Sequence, residues 1–152
     1  MPPYAPAPVI YQGTSAAPTG TASTTSVMLG LGAAITPQAT GRIFYCVSGS
    51  MGNDTTGDGV GITLYYGTGT APGNGAALTG TAIGTILVFT ALTGMLRSPF
   101  SAQAIITGLA VPAITSAGRT GTAVPVWLDL AIKAVTGGTA DVTLLNVSAF
   151  EF

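Results

Sequence analysis

Five carboxylates (Asp54, Asp58, Asp129, Asp141 and Glu151), four cations (Arg42, Arg97, Arg119 and Lys133) and one thiol (Cys46) are all the ionic chemistry this sequence holds. Histidine is absent, which removes the commonest general base, the His-containing triads and every His-ligated metal site. Asn53-Asp-Thr-Thr-Gly-Asp-Gly59 has two carboxylates among flexible glycines, yet no terminal Glu follows to complete a calcium loop. It reads as a solvated turn. Gly67-Thr-Gly-Thr-Ala-Pro-Gly73 is glycine-rich like a phosphate loop but lacks the Lys-Ser/Thr ending and a following helix. Trp127, Asp129 and Lys133 share one face of a strand pattern, an arrangement that suits a sugar platform or a structural edge cover. No close carboxylate pair for glycoside hydrolysis suggests itself from the spacing. The reading is therefore no catalytic residue, no cofactor and no metal.

The elements that must position these residues are strands. Gly accounts for 22 of 152 residues and threonine is abundant; both are poor helix formers. Residues 1–26 carry Pro2, Pro3, Pro6, Pro8 and then a Ser/Thr/Gly-rich stretch, which predicts an extended arm. Its apolar anchors, Tyr4, Val9, Ile10 and Tyr11, are candidate partner contacts, as is Trp127. Residues 27–152 predict a β-sandwich, jelly-roll-like, built from short alternating strands between Gly-rich loops. Val60, Ile62, Leu64 and Tyr66 alternate with Gly61, Thr63 and Tyr65; residues 81–90 read as a buried strand; the stretch from Phe100 leans to strand. Val126, Leu128, Leu130 and Ile132 alternate with Trp127, Asp129, Ala131 and Lys133. Thr136-Gly-Gly-Thr139 predicts a hairpin turn that brings Asp141 beside Lys133. A phase shift at Leu144-Leu145 predicts a β-bulge in the last strand.

Only 6% of the residues are charged and the net charge is −1, which excludes a phosphate-tracking nucleic-acid binder. The charge-free run from Gly59 to Leu96 is too broken by Gly, Thr, Pro and Asn to be a spanning helix, and the first residues do not read as a signal peptide. Cys46, between Tyr45 and Val47, reads as a buried structural thiol. A surface so poor in charge tends to associate. The expectation is an obligate oligomer within a larger assembly.

GDGVGITLYYGTGTAPGNGAALTGTAIGT (57–85) and VPVWLDLAIKAVTGGTADVTLLNVSAFEF (124–152) resemble small virion proteins of tailed bacteriophages, the head decoration (cement) and head-fibre proteins. The resemblance implies a β-sandwich that trimerises on the capsid exterior, clamps neighbouring subunits of the major capsid protein and does no catalysis. The rival expectation is a receptor- or carbohydrate-binding tail or fibre module, with Trp127, Tyr65 and Tyr66 as stacking surfaces; a cell-wall glycan hydrolase stands third.

Overall fold

Period-two alternation needs something on one side to pack against, and here two layers of strands supply it for each other. The computed structural model describes residues 10–14, 20–115 and 118–152. Its strands are β1 (Ile10–Thr14), β2 (Val27–Met28), β3 (Ala33–Ile35), β4 (Ile43–Asn53), β5 (Gly59–Thr68) and β6 (Thr81–Thr90). They continue with β7 (Arg97–Ile106), β8 (Ala113–Thr115), β9 (Gly118–Thr120), β10 (Val126–Ala134) and β11 (Ala140–Glu151). Among the described residues no helix is long and apolar enough to cross a membrane.

One sheet has the order β1-β11-β4-β7 and the other β2-β10-β5-β6, with β3 also on β10. Met28 of β2 lies opposite Ala131, and Ala33 of β3 opposite Leu128. The two pieces thus act as one interrupted edge strand. With them counted as one, each layer has four strands, and the alternation of early and late strands within each sheet is that of a jelly roll. The β8–β9 hairpin is an insertion between β7 and β10.

The core lies between the layers. Ile43, Tyr45 and Val47 of β4 face Val60, Ile62 and Leu64 of β5 and Leu128, Leu130 and Ile132 of β10, all buried. The bulge in β11 is present: pairing to β4 skips from Thr143 to Asn146, and Leu144 adopts a left-handed φ of 53°.

Several sequence expectations change once the partners of each strand are visible. Ile10–Thr14, assigned to the arm, is an edge strand paired residue for residue with β11. Thr21 bridges Ala140, and Ala134 N–H donates to the Ser23 carbonyl, so much of 20–26 is also tied to the body. The 1–26 boundary therefore cuts through the first sheet. Thr136–Thr139 is not a hairpin turn but an arch, because β10 and β11 belong to different sheets. Local alternation is the same on either side of a hairpin or an arch, and only the core tells them apart. Consequently Asp141 pairs with Arg97 at 2.8 Å, not with Lys133. Cys46 is half-buried on the outer face of its sheet, its Sγ 3.8 Å from Ser101 Oγ; Tyr45 and Val47 take the core side.

Candidate interaction surface

The polar residues singled out for chemistry hold loops in place. Asn53 donates from Nδ2 to the carbonyls of Gly59 and Gly137, both at 2.9 Å. Asp54 accepts from Thr139 N–H at 2.7 Å, and Asp58 accepts from the Thr136 hydroxyl. The Asn53–Gly59 turn thus staples the arch between the two sheets. The Thr139 amide beside Asp54 draws its carboxyl below the ordinary value.

The two buried acids do similar work on other loops. Asp129, 1% exposed, accepts from the amides of Gly30, Leu31 and Leu130. Burial pushes its carboxyl up, and the three amides offset that only in part. Glu151 accepts from the amides of Gln38, Ala39, Thr40 and Gly41 at 2.7–2.9 Å. Burial again works upward, but four donors together bring this carboxyl below its ordinary value. Among the described residues no cluster of three or more His, Cys, Asp and Glu could hold a metal.

Trp127 is 4% exposed and packs with Met28 and Ala131 in a small second core on the far side of its sheet. Its ring lies against Gly67 and Gly80, where a Cβ would collide with it, and its Nε1 donates to the Thr68 carbonyl at 3.2 Å. The chain's own loop, rather than a partner, covers this side chain. Of the other candidate contacts, Tyr4 and Val9 lie outside the described residues. Ile10 and Tyr11 stand opposite Phe150 and Ala149 on the first sheet. Trp127 is on the second sheet, so these residues do not form one patch.

The uncovered surface lies elsewhere, at the end of the sandwich where β6 and β7 are the outermost strands of their sheets. Both are ten residues long, and among the described residues each has one unpaired edge. β6 was expected to be buried, yet Val88 is 54% exposed and Ile86 is exposed beside it. The turn joining β6 to β7 adds Leu92, 53% exposed, with Met95 and Leu96. The run of apolar residues was read as burial because a strand covered by its own chain and one awaiting a partner have the same composition.

The β5–β6 ladder is broken here. Ile62 pairs with Leu87 and Leu64 with Ile83, so Gly84, Thr85 and Ile86 stand opposite Thr63 alone. β6 bows outward, with Gly84 at a φ of 74°. The bow leaves a cavity of about 280 Å³ between the sheets, lined by Ile62, Leu64, Ile83, Leu87, Ala102 and Leu130 among others. Sheet edges are ordinarily protected by charge, proline or short length. Arg97 and Pro99 protect β7 in this way, and β2 and β3 are short. β6 has neither charge nor proline in its ten residues.

No family model and no curated protein matches the sequence. Among solved structures, a chain of infectious bursal disease virus, Gx strain, matches with a TM-score of 0.50 and 14% identity, over 94% of this chain and 32% of that one. The likeness is one of fold. A chain of the VP2 subviral particle of the same virus is also found, at a TM-score of 0.30 and 15% identity, over 95% of this chain and 41% of that one. The chain therefore spans between a third and two fifths of the length of these solved chains. The all-β sandwich expected from the residues is the fold present, and the likeness does not extend to tailed bacteriophages in particular.

Proposed function

We propose that this chain is a structural protein of a virus particle, and within that class a decoration (cement) protein on the head of a tailed bacteriophage. The observation that carries the reading is β6, a ten-residue apolar edge without charge or proline beside a cavity and an apolar turn. An edge of this kind pairs with, or is covered by, another chain. The jelly-roll order supports the same class, since a virus chain of that fold is a structural match. In this reading the chain forms a homo-oligomer, a trimer, on the capsid exterior and contacts the major capsid protein. It acts by mass action and not by catalysis: a ligand of the assembled shell alone stabilises that shell, and linked subunits bind more tightly through effective concentration. The rival glycan-binding reading has less support, because Trp127 is buried and Tyr65 and Tyr66 are half-buried against the two cores.

The test is light scattering of the purified chain beside Ile86→Lys/Val88→Lys, followed by sedimentation of each with emptied phage heads. A trimer that binds heads, together with a double variant that is folded, monomeric and unbound, is the expected result. A native chain that stays monomeric at high concentration and leaves the heads bare would overturn the reading.

A further inference from the structure

At one end of the first sheet a row of apolar side chains lies on the outer face, away from the core. Phe44 of β4 is paired with Phe150 of β11 on one side and with Ile105 of β7 on the other. The Phe44 and Phe150 rings are 5.1 Å apart, and Phe152 meets Phe150 edge-on at 6.2 Å. The guanidinium of Arg42 sits 4.6 Å over the Phe152 ring. Tyr45 and Ala149, next along the same strands, fill the core, while Ile105 is 52% exposed and Phe150 40%. Nothing in the sandwich needs this ledge of three phenylalanines.

The register of β1 shows which part of the chain arrives there. Ile10 is opposite Phe150, so segment 1–9, Met-Pro-Pro-Tyr-Ala-Pro-Ala-Pro-Val, joins the fold at the ledge. One and two further steps of that register would set Val9 against Glu151 and Pro8 against Phe152. Pro8 has no N–H to give to such a ladder. Four prolines in nine residues favour polyproline II instead, a preformed conformation whose usual docking surface is a set of aromatic rings. Reach is ample. Nine residues at about 3.1 Å each exceed the two interstrand steps of about 4.8 Å that separate β1 from β4.

We infer that segment 1–9 folds back over its own sheet and packs its prolines and Tyr4 on the Phe150–Phe44–Ile105 row, beside the Arg42–Phe152 pair. The inference rests on the ledge and the register, and it stands whether or not the chain belongs to a virus particle.

The experiment uses the full chain, ¹⁵N-labelled, with Cys46→Ser and with a nitroxide on the thiol of Ala5→Cys. The expected result is loss of amide intensity at Phe44, Ile105 and Phe150, restored when the nitroxide is reduced. Asn53 and Thr139, at the far end of the sheet, should keep theirs. Pro6→Ala/Pro8→Ala should weaken the loss without touching the folded body, and Phe150→Ser should abolish it while the Asn53 and Thr139 resonances stay in place. Intact amide intensity along the row would overturn the inference. So would a loss seen only when nitroxide-bearing unlabelled chain is mixed with ¹⁵N chain, which would assign the ledge to a second copy.

Discussion

The phenol of Tyr45 donates a hydrogen bond to the main-chain carbonyl of Asp129 over 3.1 Å, and both residues are shut off from solvent. Tyr45 is on β4 and Asp129 on β10, so the bond joins the two sheets through the middle of the core. A buried carbonyl left without its donor loses more than an exposed one. Tyr45→Phe keeps the ring and removes only the hydroxyl. It should lower stability by about 1–2 kcal/mol, read as a smaller urea midpoint at unchanged slope. A midpoint equal to the native one would show the bond to be without weight.

Glu151 gathers loop 38–41 by accepting from its four amides. Its carboxyl is lower folded than its ordinary value of 4.5. The folded state thus prefers the ionised form, and the resulting stability is complete above the unfolded pKa. It is lost as pH falls through the folded one. Glu151→Gln puts an amide N–H₂ among donors and should cost about 2–4 kcal/mol at neutral pH. Its stability should also fall less steeply between neutral pH and strong acid than the native chain's does. Thermal melts across that range decide it, and parallel curves would refute the assignment.

Asp129 shifts the opposite way, since burial raises its pKa. Its contribution is greatest at low pH and declines as pH rises through the folded value. The shallower acid limb left in Glu151→Gln is where this opposing slope should be measured.

Gly80 has a φ of 79°, and a Cβ there would strike the Trp127 ring and the Tyr66 carbonyl. Gly80→Ala should destabilise the chain by more than about 2 kcal/mol. Trp127 is the single tryptophan, so its emission should move to longer wavelength as loop 67–80 lifts away. Native emission and stability together would contradict the packing.

Leu144 holds a left-handed φ of 53° at the β11 bulge with its side chain 84% exposed. Asparagine tolerates that conformation and a β-branched residue does not. Leu144→Asn should stabilise the chain by about 0.5–1 kcal/mol, and Leu144→Val should destabilise it by a similar amount. Equal midpoints for the two variants would mean that the bulge relaxes at no cost.

Much of the strand pattern was legible in the residues. Alternation around Val60–Tyr66 and Val126–Ile132 located β5 and β10, and the phase slip at Leu144-Leu145 located the bulge. The candidate site was less legible. Trp127 looked available because its strand face carries Asp129 and Lys133, and only loop 67–80 folding over that face shows it to be covered.

By itself, the sequence determined an all-β chain: Thr, Gly and β-branched residues at period two favour strands and disfavour helices whatever the strands pack against. It also determined a surface with few charges, because composition does not change on folding. The tertiary structure alone decided which strands are neighbours. It turned Thr136–Thr139 into an arch, gave Asp141 to Arg97, took Ile10–Thr14 into the first sheet and left β6 at an open edge. The physical reason is that pairing and burial depend on residues distant in the chain, while periodicity reports only on residues a few positions apart.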